Sequence, residues 1–173
     1  MKDRIIPALM LGFFGLVAVV IVALGYNWTH IQKPRLDPVQ PIKFPHYIHA
    51  GNLSLDCKFC HKYVDKSTFA SIPNIQVCMT CHQTAATDRP EIKKLTRFWK
   101  EHKQVPWKVI HKLPDFVYFS HKRHIKAGLD CANCHGPIQV VKQVRQVKSL
   151  TMGFCVRCHK IKKASLDCAT CHK

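Results

Sequence analysis

The sequence predicts short α-helices and loops behind one N-terminal transmembrane helix. Residues 5–25 contain no charged side chain, and about 20 apolar residues are enough to cross a bilayer as a helix. Five Cys-x-x-Cys-His runs follow, roughly one for every 29 residues after the apolar segment. Because that is too little chain to build an apolar core around each run, we expect bound groups to form most of the core.

The five runs use all ten cysteines of the chain. A Cys-x-x-Cys pair followed by histidine is the attachment signature of c-type haem, in which each thiol bonds a vinyl group and the histidine binds the iron. The sequence therefore predicts five covalently bound haem c groups, at sites numbered 1 to 5 in chain order. The attaching cysteines are Cys57, Cys60, Cys78, Cys81, Cys131, Cys134, Cys155, Cys158, Cys168 and Cys171. The proximal iron ligands are His61, His82, His135, His159 and His172.

Zinc sites and disulfides are the two other uses of paired cysteines. Zinc would combine the pairs into sets of four ligands and leave one of the five pairs unmatched. Disulfides suit an oxidising compartment, but neither use explains a histidine after every pair. The predicted fold class is therefore a multihaem cytochrome c: mainly short α-helices and loops packed around haems, with one N-terminal transmembrane helix.

Seven further histidines are available for the second axial position of the irons. The motif Phe-x-His-x-x-His occurs twice, at residues 44–49 and 119–124, each time before a pair of attachment sites. Residues three apart on a helical turn share a face at different heights, so the two rings can reach neighbouring irons. We assign the first histidine of each motif to the first haem of its block, and the second histidine to a haem nearby. These predicted distal ligands are His46, His49, His121 and His124.

The fifth haem needs one more ligand, and His111 is our choice. Met152 is the rival, although a methionine beside a haem often packs against the porphyrin instead. His30 follows the apolar segment and His102 lies on a predicted surface helix, so both are expected to have structural or solvated roles. With two strong ligands on each iron, the haems would carry electrons and offer no open position to a substrate. No catalytic residue is predicted.

The apolar segment is predicted to be an uncleaved signal-anchor, because the apolar core of a cleaved signal peptide is normally shorter. Haem c is attached outside the cytoplasm in bacteria, which places the N-terminus in the cytoplasm and the haem domain on the periplasmic side of the inner membrane. The predicted divisions are the anchor (1–28), a proline-rich extended linker (29–45), a dihaem block (46–82), a haem-free connector (83–118) and a trihaem block (119–173).

The connector contains the clearest predicted helix, at about residues 89–104. Asp88 is the expected cap, Glu91 would complete a capping box, and Pro90 is tolerated in the first turn. Residues 105–106, Val-Pro, should end the helix. The expected apolar face is Ile92, Leu95, Phe98 and Trp99.

The polypeptide carries 27 basic and 10 acidic residues, a net charge of +17. Such a charge is typical of proteins that bind nucleic acid or acidic membranes. Two propionates on each of five haems would lower it to about +7, and no nucleic-acid-binding motif is visible. We therefore expect the protein to associate with a membrane and not with nucleic acid. We also expect many of its basic side chains to balance haem propionates.

The Phe-x-His-x-x-His motifs resemble those of trihaem cytochromes of the c7 type. The stretch from His111 to His159 carries a more specific resemblance. Its motifs are Leu113-Pro-Asp-Phe-Val-Tyr-Phe-Ser-His121, Cys131-x-x-Cys-His135-Gly136 and Met152-Gly-Phe-Cys155. Together with one anchor and five haem sites, this pattern resembles the membrane-anchored pentahaem subunit of alternative complex III.

That resemblance implies an electron-transfer subunit of a quinol-oxidising complex, without catalysis of its own. The implied partners are integral quinol-binding subunits and an iron–sulfur subunit, with a monohaem or soluble cytochrome c or an oxidase as acceptor. The alternatives are a stand-alone anchored multihaem quinol dehydrogenase and a multihaem reductase of nitrogen or sulfur oxyanions. Both would need an iron with a labile or absent distal ligand, and the supply of histidines argues against that.

Overall fold

The computed structural model describes residues 2–32 and 36–172, and within these the side chains of 6–7, 9–31 and 36–172. The described residues form helices and loops without a strand, which confirms the predicted fold class. The α-helices are α1 (Lys2–Asn27), α2 (Cys57–Cys60), α3 (Ile75–His82), α4 (Pro90–Lys100), α5 (His121–Lys126), α6 (Ala132–His135), α7 (Met152–Lys162) and α8 (Cys168–Cys171). Two π-helices (Trp28–Gln32 and Tyr47–Asn52) and one 3₁₀ turn (Ile138–Val140) complete the set.

The N-terminal helix projects away from the rest of the described chain. One segment of 23 residues, Leu9–Ile31, is long and apolar enough to cross a membrane, and its side chains are not buried by other parts of the protein. Such a helix fits either a single membrane span or a signal sequence. At its end His30 stacks on Tyr26, with ring centroids 4.5 Å apart. This stacking fits the structural role expected for His30, which stays a prediction.

The proline-rich linker docks on its own domain through its second half. Ile42 is buried, and the backbone N–H of Lys43 donates to a carboxylate oxygen of Glu91 at 2.7 Å. Gln40 makes a reciprocal pair of hydrogen bonds with the backbone of Lys108, at 2.9 and 3.1 Å. Residues 38–45 thus form a strap without helix or strand, whereas Pro34 lies outside the described residues.

The side-chain core is small. Its buried members are Ile42, Ile75, Met79, Leu95 and Val105, and Ile92, Phe98 and Trp99 pack against them. The apolar face predicted for the connector helix is therefore the face that α4 packs inward. Many apolar side chains around the Cys-x-x-Cys-His runs instead lie on the polypeptide surface, for example Phe69 at 77 % and Phe116 at 64 % exposure. Their chemistry fits the flat apolar faces of porphyrins.

The predicted cap of the connector helix is wrong. Arg89 occupies the N-cap position without a side-chain hydrogen bond, and Pro90 is the first helical residue. Glu91 does not complete a capping box; it accepts hydrogen bonds from the Lys43 backbone at 2.7 Å and the Lys94 ammonium at 2.8 Å. The Lys94 hydrogen bond is the largest cause holding the pKa of Glu91 below its usual range. Docking of the linker strap therefore takes the carboxylate that local capping would have used.

The helix also ends earlier than predicted. It stops at Lys100, and His102 adopts a left-handed backbone with φ of 52°. This ending comes before the predicted Val105-Pro106 stop, because the backbone N–H of Lys103 turns back to the Phe98 carbonyl at 2.9 Å. His102 is exposed, in keeping with the solvated role expected for it.

Candidate haem-binding sites

The attachment runs lie on short helical turns, most of them with a carboxylate or amide cap. Asp56, Asp130 and Asp167 each precede the first cysteine of sites 1, 3 and 5 and accept a hydrogen bond from a backbone N–H two residues on, at 2.7, 2.7 and 3.1 Å. Asn74 does the same for α3, at 2.9 Å. These caps satisfy backbone donors that a short helix cannot satisfy itself. These caps were not predicted, although the triplet Leu-Asp-Cys recurs at all three aspartates.

The proximal histidines are oriented by backbone carbonyls. Nδ1 of His61, His82, His159 and His172 donates to the carbonyls of Ser71, Ala85, Ser165 and Phe116, at 2.7, 3.0, 2.7 and 3.1 Å. Because a carbonyl oxygen only accepts, the proton must lie on Nδ1, which leaves the Nε2 lone pair free. Metal-binding histidines almost always donate their second ring nitrogen in this way.

Three of the predicted distal histidines show the same arrangement. Nδ1 of His49 donates to the Pro45 carbonyl at 3.2 Å, and Nδ1 of His124 to the Ser120 carbonyl at 2.8 Å. Nδ1 of His121 donates to the Thr68 carbonyl at 3.0 Å. Seven of the ten predicted iron ligands are thus held in the tautomer that exposes Nε2.

The other three predicted ligands, His46, His111 and His135, are the more buried ones. Burial lowers the pKa of His46 to about 4, with further lowering by His61 and His49. Burial also lowers the pKa of His135 to about 4, helped by His111. Both imidazoles are therefore neutral at physiological pH, the form that binds metal. Among the described residues, Nδ1 of His46 and Nε2 of His111 are buried without a hydrogen-bond partner.

Three pairs of rings have the separation that one iron between two imidazoles requires. A metal–imidazole bond of about 2 Å on each side places the two ring centroids about 6 Å apart. The centroids of His49 and His82 are 6.0 Å apart, and those of His124 and His159 are 6.1 Å apart. His121 and His135 lie 6.4 Å apart with planes only 8° from parallel. These donor sets fit haem iron at sites 2, 4 and 3, in that order.

Two assignments rest on less direct geometry. His46 lies at the start of the turn that carries His49, and its assignment to site 1 stays a prediction. His111 packs edge-on against His135, with ring centroids 4.5 Å apart, whereas His172 lies against Phe116 at 5.8 Å. The assignment of His111 to the fifth haem stays a prediction. Met152, the rival ligand, begins α7 with 69 % of its side chain exposed.

The two Phe-x-His-x-x-His motifs adopt one geometry. The ring of Phe44 lies edge-on to His46 at 4.7 Å and 87°, and Phe119 lies edge-on to His121 at 4.8 Å and 88°. The same phenylalanines stack on the second histidine of each motif, at 4.4 Å and 27° and at 4.3 Å and 29°. Each phenylalanine therefore contacts both imidazoles of its own motif and holds them at a fixed angle to one another. This role was not predicted from the sequence.

The two blocks differ by one residue, and a π-turn absorbs it. Cys57 lies eight positions after His49, whereas Cys131 lies seven positions after His124. The loop closes on the second histidine in both blocks: the Leu55 N–H donates to the His49 carbonyl at 2.9 Å, and the Leu129 N–H donates to the His124 carbonyl at 3.2 Å. The first turn is a π-helix and the second an α-helix. The wider turn keeps ligand and attachment cysteine in matching positions.

Gly51 allows the π-turn to lie directly against residues 139–141, in the segment that follows site 3. A Cβ at Gly51 would collide with the backbone carbonyl oxygen of Gln139, and the neighbouring Tyr47 N–H donates to the Val141 carbonyl at 3.1 Å. The Gly51→Ala variant is expected to lose about 1–3 kcal/mol of unfolding free energy, because a backbone oxygen cannot move aside as a side chain can. Denaturant unfolding of the haem-loaded protein measures the loss.

The exposed neighbour on the same turn provides the matched control. Asn52→Ala removes a side chain at an exposed position and should leave the midpoint nearly unchanged. Equal midpoints for Gly51→Ala and Asn52→Ala would contradict the close packing of the two segments.

A groove of about 650 Å³ lies between site 2 and α4. It is lined by the apolar side chains of Met79 and Trp99, by the proximal ligand His82 and by the basic side chains of Lys93, Arg97 and Lys100. An apolar slot with cationic side chains fits a porphyrin that carries two propionates. The basic side chains of α4 would then balance the propionates of this haem, as expected from the net charge of the chain.

Two family models match adjoining parts of the chain. Residues 28–111 match the model of the class III cytochrome C family, and residues 117–173 match the model described as cytochrome c7 and related cytochrome c. Together they cover both blocks of attachment sites. These matches imply covalently bound c-type haem.

The chain is also similar to a protein of Nitratidesulfovibrio vulgaris (strain Hildenborough) called menaquinone reductase, multiheme cytochrome c subunit. The two are 32 % identical over 118 residues, which is 67 % of this chain and 55 % of the relative. The alignment therefore spans only about half the length of that relative.

Proposed function

We propose that this chain, which has the fold class of multihaem cytochromes c, relays electrons as a pentahaem subunit of a quinone-linked membrane complex. The observation that carries the proposal is the set of facing imidazoles at 6.0, 6.1 and 6.4 Å. When bound, each haem supplies one-electron exchange at its iron. The protein supplies two ring nitrogens to that iron and the cysteines that keep the porphyrin in place.

A relay, rather than an enzyme, follows from what these residues do. At three sites two facing imidazoles would leave the iron no position for a substrate, and Nδ1–H···O=C hydrogen bonds hold both rings of the site 2 and site 4 pairs in the binding tautomer. Bis-histidine ligation also favours lower potentials than histidine–methionine ligation, which suits exchange with a quinone pool. The chain is proposed to have no catalytic residue of its own.

The quinone link is supported by the relative's name and by the resemblance to alternative complex III. We propose integral quinone-binding subunits and an iron–sulfur subunit as partners, and a monohaem or soluble cytochrome c or an oxidase as acceptor. The relative is called a menaquinone reductase, which favours a second candidate: electrons running through this chain toward the quinone. We propose that α1 is an uncleaved inner-membrane anchor with the haem domain on the periplasmic side.

The mass of the haem-containing particle in mild detergent tests the proposal. The relay is expected to elute with iron–sulfur and integral partners, far above the 19.9 kDa of the chain plus its haems and detergent. Quinol should reduce the haems in that particle but not in the purified single chain. A single chain that quinol reduces by itself would instead identify a stand-alone quinol dehydrogenase.

The direction of transfer can be tested on the same particle. Quinol added to the oxidised particle should reduce its haems at a rate fast enough for turnover, whereas a reduced soluble cytochrome should not reduce added menaquinone. The opposite pair of results would support the reductase direction suggested by the relative's name.

A further inference from the structure

Sites 1 and 2 are joined by one helical turn, and so are sites 3 and 4. His46 and His49 lie on the same turn: His46, at its start, is the ligand assigned to site 1, and His49 faces His82 of site 2 at 6.0 Å. In the second block His121 faces His135 of site 3 at 6.4 Å and His124 faces His159 of site 4 at 6.1 Å. Histidines three residues apart therefore bring consecutive sites side by side in each block.

The two blocks meet through site 1 and site 3, although 74 residues separate their first cysteines. The start of α5, which carries His121 of site 3, is bound to the loop that follows site 1. The backbone N–H and Nδ1 of His121 both donate to the Thr68 carbonyl at 3.0 Å, and the Lys122 N–H donates to the Ser67 carbonyl at 3.1 Å.

Sites 4 and 5 are joined by a short loop. Nδ1 of His159, the proximal ligand of site 4, donates to the Ser165 carbonyl at 2.7 Å, and the Ser165 hydroxyl lies 2.9 Å from the hydroxyl of Thr170 inside site 5. These contacts place the attachment turns of sites 4 and 5 next to one another.

We propose that the five attachment sites form one unbranched row in the order 2–1–3–4–5. The row ends at site 2, beside the basic face of α4, and at site 5, beside the exposed rings of Phe116 and Tyr118. The order deepens the proposed relay function and rests on it, since the two ends are where electrons would arrive and leave. The cationic end suits an acidic partner, and the aromatic end suits a less charged contact.

The positions of the irons test the row directly. Anomalous scattering from crystals of the haem-loaded full chain locates each iron, and the cysteines bound to each porphyrin identify its site. Nearest neighbours are expected to be 2 and 1, 1 and 3, 3 and 4, and 4 and 5. Any other set of neighbours, such as site 2 next to site 3, would overturn the proposal.

Flash photoreduction of the haem-loaded chain in detergent tests the order in solution. A ruthenium label would be placed on Lys93→Cys at the site 2 end or on Asp115→Cys at the site 5 end. His46→Met or His124→Met marks one haem by the spectrum of a methionine-bound iron. With the label at 93 the mark from His46→Met should be reduced sooner than that from His124→Met, and with the label at 115 the order should reverse.

The same order of arrival from both labels would contradict the row. If either marked variant fails to bind haem, the iron positions in the unmodified protein still decide the question. Neither experiment uses a quinone or a partner subunit. A correct row in a protein that forms no quinone-linked particle would therefore overturn the proposed function alone, and the reverse result would overturn the row alone.

Discussion

The chain made without haem attachment is expected to be unfolded. Only six apolar side chains are buried among the described residues, namely Ile42, Val64, Ile75, Met79, Leu95 and Val105. A domain of this size is normally stable by about 5–15 kcal/mol, which depends on burying most of its apolar surface. The side chains that surround the attachment runs cannot supply that burial from one another. Removing every haem should therefore cost more than the whole stability of the domain.

Replacing all ten cysteines by alanine provides the haem-free chain. Circular dichroism should show little helix beyond α1, and protease should degrade residues 36–172 rapidly, whereas the haem-loaded protein should resist. A folded, protease-resistant haem-free domain would show that the side chains suffice.

Removing one haem at a time distinguishes the effect of losing a single haem from that of losing the core. Loss of site 5 through Cys168→Ala and Cys171→Ala should leave the rest folded, because this site contacts the domain mainly through Phe116, Tyr118 and the loop after α7. Loss of site 3 through Cys131→Ala and Cys134→Ala should be more damaging, because its predicted distal ligand, His121, is hydrogen-bonded to Thr68 in the loop after site 1. Equal damage from the two double variants would argue against a haem-built core.

His124→Ala is expected to convert one haem from a closed to an open iron. The imidazole of His124 faces that of His159 at 6.1 Å and is oriented by Phe119 and by its hydrogen bond to Ser120. Without it the site 4 iron should become high-spin, bind carbon monoxide and titrate at a different potential, since axial ligands set haem potentials. Optical and paramagnetic resonance spectra should show this change for one haem of the set.

His102→Ala is the matched control. His102 is an exposed histidine with a left-handed backbone in the turn after α4. Its replacement should leave the haem spectra and carbon monoxide binding as in the unmodified protein. A high-spin signal in His102→Ala, or its absence in His124→Ala, would contradict the division of histidines into ligands and non-ligands.

The local features of the protein could be predicted from the sequence because they depend on residues close together in the chain. Cys-x-x-Cys-His predicts covalent attachment from five residues, and Phe-x-His-x-x-His predicts the distal histidines from six, with one geometry in both blocks. The apolar face of α4 was also correct, since i, i+3 and i+4 spacing alone defines it. The apolar length of residues 5–25 likewise specifies a helix that can cross a membrane.

The tertiary structure decided what depends on contacts between distant segments. Arg89 rather than Asp88 takes the N-cap of α4, and Glu91 completes no capping box because the linker strap, 48 residues away in sequence, brings the Lys43 N–H to its carboxylate. His111 lies against His135, a contact that no local spacing indicates. Sites 1 and 3 became neighbours only through the packing of α5 on the loop after site 1. The sequence predicts which groups bind haem because attachment is local chemistry, whereas the placement of the haem sites relative to one another requires long-range packing.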